Sequence, residues 1–215
     1  MPFDISAHLS TTQRDVRNVE HHGQSAKDVV AARVYDTNAA DLWEAVTNPV
    51  RITRWFAPVT GEFKLGGRFQ IEGNASGTVT ACEPDRSYAA TWEFGGYTSW
   101  IEVNVSQEGE KARVEIHHIA PHPNPHWDQY GAGAGGVGWE LGLIALAEHL
   151  KRPGDDVRAE GVNGWETSSE AKTFVDQASS AWGRAAIHGG DQPRTAMQAA
   201  EATRRFYSGE PPLDA

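Results

Sequence analysis

The sequence has a single cysteine, Cys82, and no apolar run that approaches the roughly 20 residues of a membrane-spanning helix. One cysteine excludes an intramolecular disulfide. The opening residues, MPFDISAHLSTTQRD, lack the basic start and apolar core of a secretory signal. These absences predict a cytoplasmic protein that does not insert into membranes.

Positive charge is also scarce, because 19 Lys and Arg residues stand against 29 Asp and Glu residues and give a net charge of −10. Phosphate backbones and anionic lipid surfaces repel such a chain, so nucleic acid is not an expected partner. With 215 residues, 39% hydrophobic and 22% charged, the chain is long enough to bury a core and too apolar to be disordered.

Short elements followed by a meander are predicted for the first half of the chain. The elements are a short helix over 4–19, a strand over 28–36, and two short helices over 37–48 and 50–56 that end at Pro49 and Pro58. Over 61–119, apolar and polar residues alternate. Such alternation between turn signals is typical of four or five consecutive antiparallel strands.

The alternation also assigns side chains to faces, because neighbours in a strand point to opposite sides. The apolar face contains Phe69, Ile71, Tyr88, Ala90, Trp92, Phe94, Ile101, Val103, Val105, Val114, Ile116 and His118. A strongly helical segment over 136–151 places Trp139 and Leu143 on a stripe that would cover this face. The predicted fold class is therefore α+β, with a curved antiparallel sheet wrapped on a long helix.

Beyond this helix the sequence predicts a polar linker over 153–165 and two further helices. Thr167 and Glu170 suit a capping box for the first, and Pro193 suits the start of the second. The long helix carries a second apolar set, which includes Leu141 and predicts that its back side is covered. The cover is either these C-terminal helices of the same chain or a second subunit, which would give a homodimer.

The order of elements and four motifs carry a family resemblance. The motifs are DLWEAVTNPVRITRWF, LGGRF, EPDRSYAATWEF and GVGWELGLIALAEHL. They resemble the SRPBCC superfamily of polyketide cyclases and START-related proteins, which has the helix-grip fold, and within it the activator of heat-shock-protein-90 ATPase homologues. The resemblance covers about residues 28–152. It implies an N-terminal extension (1–25), a helix-grip domain (26–152) and a C-terminal extension (153–215), the extensions resembling those of bacterial SRPBCC proteins.

The resemblance implies a cavity between the sheet and the long helix. The residues predicted from the sequence to line it are Trp55, Phe56, Phe69, Ile71, Trp92, Phe94, Ile101, Val103, Ile116, His118, Trp139 and Leu143. Apolar walls with few polar groups are typical of small-molecule pockets. The alternative is that these side chains simply fill the core.

Four of the nine histidines lie in the segment HHIAPHPNPHWDQYG, over 117–131. The prolines forbid a helix that would align His118 with His122 and His126. His117 and His118 point to opposite faces, and the only nearby carboxylate is Asp128. We therefore predict no metal site, but a connector at the cavity rim, with His118 alone facing inward as a ligand partner or a satisfied core histidine.

The segment GAGAGG, over 131–136, matches G-x-G-x-x-G before a helix. A proline-rich connector precedes it and a polar linker follows the helix, so the context of a dinucleotide site is missing. The glycines are expected instead to form a flexible hinge that lets the helix pack closely. No cofactor is predicted.

Groups for catalysis are few. There is no G-x-S-x-G, Cys82 has no activating context, and His118 and Tyr88 are the only inward candidates for acid–base work. The leading hypothesis is non-catalytic binding of a small apolar or aromatic molecule. A cyclase-type or hydrolase-type enzyme and a co-chaperone or interaction module remain the alternatives.

Overall fold

A computed structural model describes residues 5–158 and 168–212. Its helices are α1 (Ile5–Thr11), α2 (Ala39–Thr47), α3 (Pro49–Trp55), α4 (Pro125–Tyr130), α5 (Gly133–Lys151), α6 (Ser169–His188) and α7 (Pro193–Tyr207). Its strands are β1 (Gln13–His21), β2 (Gln24–Tyr35), β3 (Val59–Gly61), β4 (Arg68–Ile71), β5 (Ser76–Glu83), β6 (Ser87–Phe94), β7 (Tyr97–Glu108) and β8 (Lys111–Pro121). The predicted α+β class is confirmed.

The eight strands form one sheet in the order β1-β2-β8-β7-β6-β5-β4-β3. The four pairs from β3 to β7 are antiparallel, as the predicted meander requires. The chain divides into two compact units. Unit 1 contains Met1–Ala31, Ile119–Leu141 and Gly161–Ala215, and unit 2 contains Ala32–His118 and Gly142–Glu160.

In unit 1, the prediction of a helix over 4–19 is wrong beyond Thr11, because Gln13–His21 forms strand β1. His22 and Gly23 both have positive φ, at 50° and 74°, and connect β1 to its neighbour β2. Two such residues match the twist of a tight hairpin. Pairing with β2 therefore outweighs the imperfect helical stripe of this segment, and the histidine–glycine turn joins two strands.

The C-terminal helices of unit 1 pack within their own chain. Gly136 of α5 lies so close to α6 that an ideal Cβ there would be 2.3 Å from the ring of Trp182, and one at Gly133 would be 2.8 Å from Thr203 of α7. Gly183 allows a similar approach between α6 and α7. The close packing predicted from the GAGAGG segment is confirmed, and the cover over this part of α5 comes from the same chain.

Local capping residues determine where the two C-terminal helices begin. Pro193 starts α7 as predicted. The side chain of Ser168 caps α6 by accepting a hydrogen bond from the amide of Ala171, at 3.1 Å. The predicted cap, Thr167, lies outside the described residues. Ser168 caps because its β-region backbone aims the hydroxyl at the first free amides of the helix.

In unit 2, α2 and α3 meet at Asn48, which ends the first helix and caps the second by accepting from the amide of Val50, at 3.0 Å. Pro49 occupies the first position of α3, where no amide hydrogen is needed. The predicted face of α2, which includes Leu42 and Trp43, is buried. The two helices predicted from the sequence are therefore confirmed, with boundaries that differ by one or two residues.

Among 5–158 and 168–212, no group of three or more histidine, cysteine, aspartate or glutamate side chains is placed to hold a metal ion. Over the same residues, none of the helices combines the length and the apolar character needed to cross a lipid bilayer. The histidine-rich connector forms the end of β8 and then α4, which begins at Pro125.

Candidate ligand cavity

A row of side chains crosses the apolar face of the sheet in unit 2, which is called the inner face from here on. Phe69 of β4 pairs with Gly77 of β5, and the register of β5 with β6 sets Gly77 opposite Trp92. Trp92 pairs with Ser99 of β7, whose Oγ lies 2.9 Å from Nε2 of His118 on β8. Three residues predicted to line a cavity, Phe69, Trp92 and His118, therefore belong to one row across five strands.

The absence of a side chain at Gly77 allows the neighbouring Phe69 ring to come close to strand β5. An ideal Cβ at this position would lie 2.7 Å from Cζ of Phe69 and 1.9 Å from the carbonyl oxygen of Thr91. The ring of Phe69 therefore lies across the backbone of β5. A glycine inside a strand often marks such a close approach.

A second part of the inner face lies further along β6. Tyr88 pairs with Val103 and Ala90 pairs with Ile101, so the predicted alternation of these strands is confirmed. The ring of Tyr88 meets Trp43 of α2 edge to face, with ring centroids 6.3 Å apart. Ala90, between the Tyr88 and Trp92 positions, is the smallest side chain on this face of β6.

Helices α3 and α5 contribute aromatic and apolar residues to unit 2. An ideal Cβ on Gly142 of α5 would lie 3.5 Å from Phe56 and 3.7 Å from Trp55, which is ordinary van der Waals contact. The hydroxyl of Tyr35 donates to the carbonyl oxygen of Leu143, at 2.8 Å. This bond ties β2 to the C-terminal half of α5.

Ser99 contacts two neighbours on this face. Its hydroxyl lies 3.2 Å from the carbonyl oxygen of Trp92, to which it can donate. It also lies 2.9 Å from Nε2 of His118, where the tautomer of the imidazole sets which atom donates. Trp92 also meets the His118 ring edge to face, with centroids 6.0 Å apart.

Tyr88 provides a second polar group on the inner face. Its side chain is half-buried, and burial raises the pKa of its hydroxyl well above the ordinary value. Within the described residues the hydroxyl makes no hydrogen bond. This hydroxyl is therefore a hydrogen-bond donor that a ligand oxygen could use.

The predicted cavity residues differ in how far they are buried. Ile71, Trp92, Ile101, Val103, Ile116 and Leu143 are buried, and Trp55, Phe56, Phe69, His118 and Trp139 are half-buried. Trp139 belongs to unit 1, and its place in a cavity stays a prediction. Phe94 is 57% exposed, so the prediction that it faces an apolar interior is wrong. It is the last residue of β6, where the covering elements no longer reach it.

A polar cluster in unit 2, with only its histidine fully buried, was not predicted. Arg51 of α3 donates from Nε to Nε2 of His149, at 3.1 Å, and from Nη1 to Oδ1 of Asp41, at 2.7 Å. His149 has no exposed surface, and its Nδ1 has no partner within the described residues. Burial and the charges of Arg51 and Arg54 lower its pKa. The one sequence signal is a histidine inside the apolar helix α5.

The carboxylate of Asp41 is held in its ionised form. Thr37 donates to its Oδ2, at 2.6 Å, while Arg51 donates to Oδ1. Burial opposes ionisation, yet these hydrogen bonds and the charge of Arg51 keep the pKa of Asp41 below its ordinary value. The cluster therefore joins a neutral histidine, an arginine and a carboxylate across α2, α3 and α5.

The order of elements, in which two short helices, an antiparallel meander and a long helix follow a buried strand, defines a helix-grip protein of the α+β class. The chain belongs to the family of Activator of Hsp90 ATPase homolog 1-like proteins, whose family model matches residues 36–151. That match covers more than half of the chain. No curated protein is significantly similar to it.

Solved structures support the same assignment. The crystal structure of CalU16 from Micromonospora echinospora is 26% identical, with a TM-score of 0.66, over 82% of this chain and 98% of that chain. The solution structure of CalU16 is 28% identical, with a TM-score of 0.67, over 83% of this chain and 97% of that chain. This coverage exceeds the residues of the family match, so the similarity includes much of the chain outside 36–151.

DynU16, described as a putative protein in the dynemicin biosynthetic locus, is a more distant match. It is 18% identical over 60% of this chain and 49% of that chain, with a TM-score of 0.54. At that identity the likeness supports the fold alone.

Proposed function

We propose that this protein binds a small, neutral, apolar or aromatic molecule against the inner face of the unit 2 sheet. The observation that carries the proposal is Tyr88, a half-buried side chain on the apolar face of the sheet whose hydroxyl makes no hydrogen bond among the described residues. Apolar walls with a few placed polar groups are the usual composition of a ligand site. Binding without turnover is the simplest function that uses these groups.

The charge distribution favours a neutral ligand. On β6 and β7 the carboxylates of Glu93 and Glu102 alternate with the inner-face residues, and their strand partners are Thr98 and Ala89. Both therefore lie on the outer face. Burying a charged ligand beside groups that offer no opposite charge would cost several kcal/mol.

An acid–base enzyme is the second candidate, and the Ser99–His118 pair is the observation that favours it. A histidine on the inner face is the residue type that most often transfers protons in enzymes. Tyr88 suits this role less well, because its raised pKa keeps the hydroxyl protonated as a hydrogen-bond donor. In the leading proposal both residues orient a ligand and transfer no proton.

Native mass spectrometry of freshly purified protein, followed by denaturing extraction, tests for a bound molecule. Release of a neutral compound in a stoichiometric amount supports the proposal. The identity of that compound then defines the class of molecules to test for turnover. The same spectrum measures whether the protein forms a dimer, and we propose that a homodimer would associate through the C-terminal helices. A cytoplasmic location is part of the proposal, and fractionation of the source cells tests it.

A matched pair of variants locates the site. Ala90→Phe places a ring on the inner face, while Ala89→Phe places the same ring on the outer face of the same strand. With the neutral dye N-phenyl-1-naphthylamine, we expect fluorescence enhancement for the wild type and Ala89→Phe and little for Ala90→Phe. Circular dichroism checks folding, and Ile101→Trp provides a second inner-face variant. Equal enhancement in all four proteins contradicts a site on the inner face.

A further inference from the structure

Unit 1 contains a cleft where the end of α4 and the start of α5 meet helices α6 and α7. Its volume is about 340 Å³ with the open mouth included, and about 40 Å³ of this can hold the centre of a water molecule. One water needs roughly 10–15 Å³ by that measure, so a small organic molecule fits the cleft and a large scaffold does not.

The floor of the cleft is open because its residues are small. The buried lining consists of glycines and alanines alone, contributed by α5, α6, α7 and the turn before α5. An ideal Cβ on Gly131 would lie 3.1 Å from Cβ of Ala199, and one on Gly183 would lie 2.9 Å from Cβ of Ala200. The helices therefore approach each other through backbone and methyl groups, which leave the space above them free.

One side of the cleft already holds an ammonium group of the chain itself. Nζ of Lys27 lies 2.5 Å from Oδ1 of Asp191 and 5.2 Å from the centroid of the Trp127 ring. Nε1 of Trp127 donates to Oδ2 of the same aspartate, at 3.1 Å. Asp191 and Trp127 therefore hold each other in place, and both also line the cleft. A carboxylate beside an indole ring is a pairing that suits a cation.

The mouth of the cleft carries a second carboxylate without a partner of its own. Asp128 is exposed, and its side chain makes no ion pair or hydrogen bond with any residue that the structure describes. Asp191 is balanced by Lys27, and none of the residues found to line the cleft is a lysine or an arginine. Asp128 therefore leaves a negative charge uncompensated, in a chain whose net charge of −10 also attracts cations.

We propose that this cleft binds a small organic cation, with a primary ammonium group on a short apolar or single-ring body. The ammonium group pairs with Asp128 and lies near the rings of Trp127 and Tyr130, while the apolar body rests on the glycine and alanine floor. The amino ends of α5 and α7 favour an anion, but an anion would have to approach Asp128 and Asp191 as well. The cleft belongs to unit 1, so this inference goes beyond the function proposed for the inner face and does not depend on it.

Three probes of similar size test the charge preference with the full-length protein. Benzylamine, benzyl alcohol and benzoate share one aromatic ring and are cationic, neutral and anionic at neutral pH. The indole N–H resonance of Trp127 in proton–nitrogen NMR spectra reports binding, and its absence from Trp127→Phe identifies it. We expect benzylamine to bind in the millimolar range, about fivefold to tenfold more tightly than benzyl alcohol, and benzoate not to bind.

A matched pair of variants locates the ammonium group. Asp128→Asn is expected to lower the affinity for benzylamine about threefold to fivefold and to leave that for benzyl alcohol unchanged. Asp176→Asn, at an exposed position of α6 outside the cleft, removes the same charge and is expected to bind benzylamine like the wild type. Added salt is expected to weaken the binding of benzylamine alone, because salt screens exposed charges.

A second pair locates the apolar body. Ala199→Leu fills the floor and is expected to weaken benzylamine and benzyl alcohol together, while Gln198→Leu, exposed and outside the cleft, is expected to bind both like the wild type. Circular dichroism checks folding. Thr195→Trp narrows the mouth from an exposed position, so it tests the same point if Ala199→Leu does not fold.

The outcomes separate this inference from the function proposed for unit 2. If none of the probes shifts the Trp127 resonance at millimolar concentrations, the cleft is not a binding site, and the proposal for the inner face is unaffected. Equal binding of benzylamine and benzyl alcohol, tighter binding of benzoate, or equal losses in Asp128→Asn and Asp176→Asn contradicts the selection of a cation by Asp128. Binding that survives both Ala199→Leu and Thr195→Trp lies outside the cleft and overturns the inference.

Discussion

Arg14 and Glu140 form a two-pronged ion pair in unit 1, with Nε and Nη2 of the arginine each 2.6 Å from a carboxylate oxygen. The glutamate side chain is 1% exposed and the arginine side chain 13% exposed. Arg14 also donates to the carbonyl oxygens of Leu9 and Thr12. The pair therefore fixes the end of α1 and the start of β1 against helix α5.

Removing one partner of this pair should destabilise the protein strongly. Glu140→Ala leaves the arginine charge buried without its carboxylate, and we expect a loss of about 3–5 kcal/mol in the free energy of unfolding. Urea denaturation followed by tryptophan fluorescence measures it. Arg86→Ala, which breaks the exposed pair with Glu83, is the control and should cost at most about 1 kcal/mol.

The double variant Arg14→Met with Glu140→Leu separates charge from packing. Replacing both ions by apolar side chains of similar size leaves no unpaired charge, so we expect stability closer to the wild type than that of Glu140→Ala. A double variant as unstable as the single one would contradict this account of the pair.

Gly136 should tolerate no side chain. In an exposed helix position, Gly→Ala would stabilise by up to about 1 kcal/mol. Here the added methyl group would meet the ring of Trp182 at 2.3 Å, in a buried contact, so overpacking wins and we expect a net loss of about 1–3 kcal/mol. Gly154→Ala, with nothing within 4 Å, is the control and should change stability by less than about 0.5 kcal/mol. A more stable Gly136→Ala protein would contradict the packing.

The cap of α6 gives a smaller, local effect. Ser168→Ala removes the acceptor for the amide of Ala171, and we expect a loss of about 1 kcal/mol in urea denaturation. Ser168→Asp keeps an acceptor and should restore most of it. Ser169→Ala, one residue further on, is the control and should change stability less than Ser168→Ala does.

Strand alternation could be predicted well from the sequence because its period of two residues is local. Tyr88, Ala90 and Trp92 share a face with Ile101 and Val103, as expected. The same rule also places Ser99, two residues before Ile101, on this face, and so could have found the residue that contacts His118. The alternation rule was wrong for Phe94, because the pattern does not show where a strand extends beyond the elements that pack on it.

Long-range contacts could not be predicted in this way. Arg51 and His149 are 98 residues apart, and only the packing of α3 on α5 brings them together. β1 was mistaken for helix because Val16 and Val19 fit a helical as well as an extended spacing, and only pairing with β2 decides between them. The resemblance to helix-grip proteins supplied the order of the layers, which patterns of single elements do not contain.

His149 should make folding sensitive to mild acid. Burial first, and the charges of Arg51 and Arg54 next, lower its pKa below the ordinary 6.5, although Asp41 partly opposes them. Arg51 donates to Nε2, so the folded protein needs the neutral ring as an acceptor. The unfolded chain therefore takes up a proton at higher pH than the folded chain, and stability is lost as the pH falls below about 6.5.

A variant that cannot titrate tests this origin. His149→Gln keeps a side-chain oxygen that can accept from Arg51 and does not titrate, so the loss of stability between pH 7.5 and pH 5.5 should be smaller than in the wild type. Urea midpoints at the two pH values measure it. His188→Gln, at the exposed end of α6, should keep the wild-type pH dependence. If His149→Gln shows the same pH dependence as the wild type, the acid sensitivity arises elsewhere in the chain.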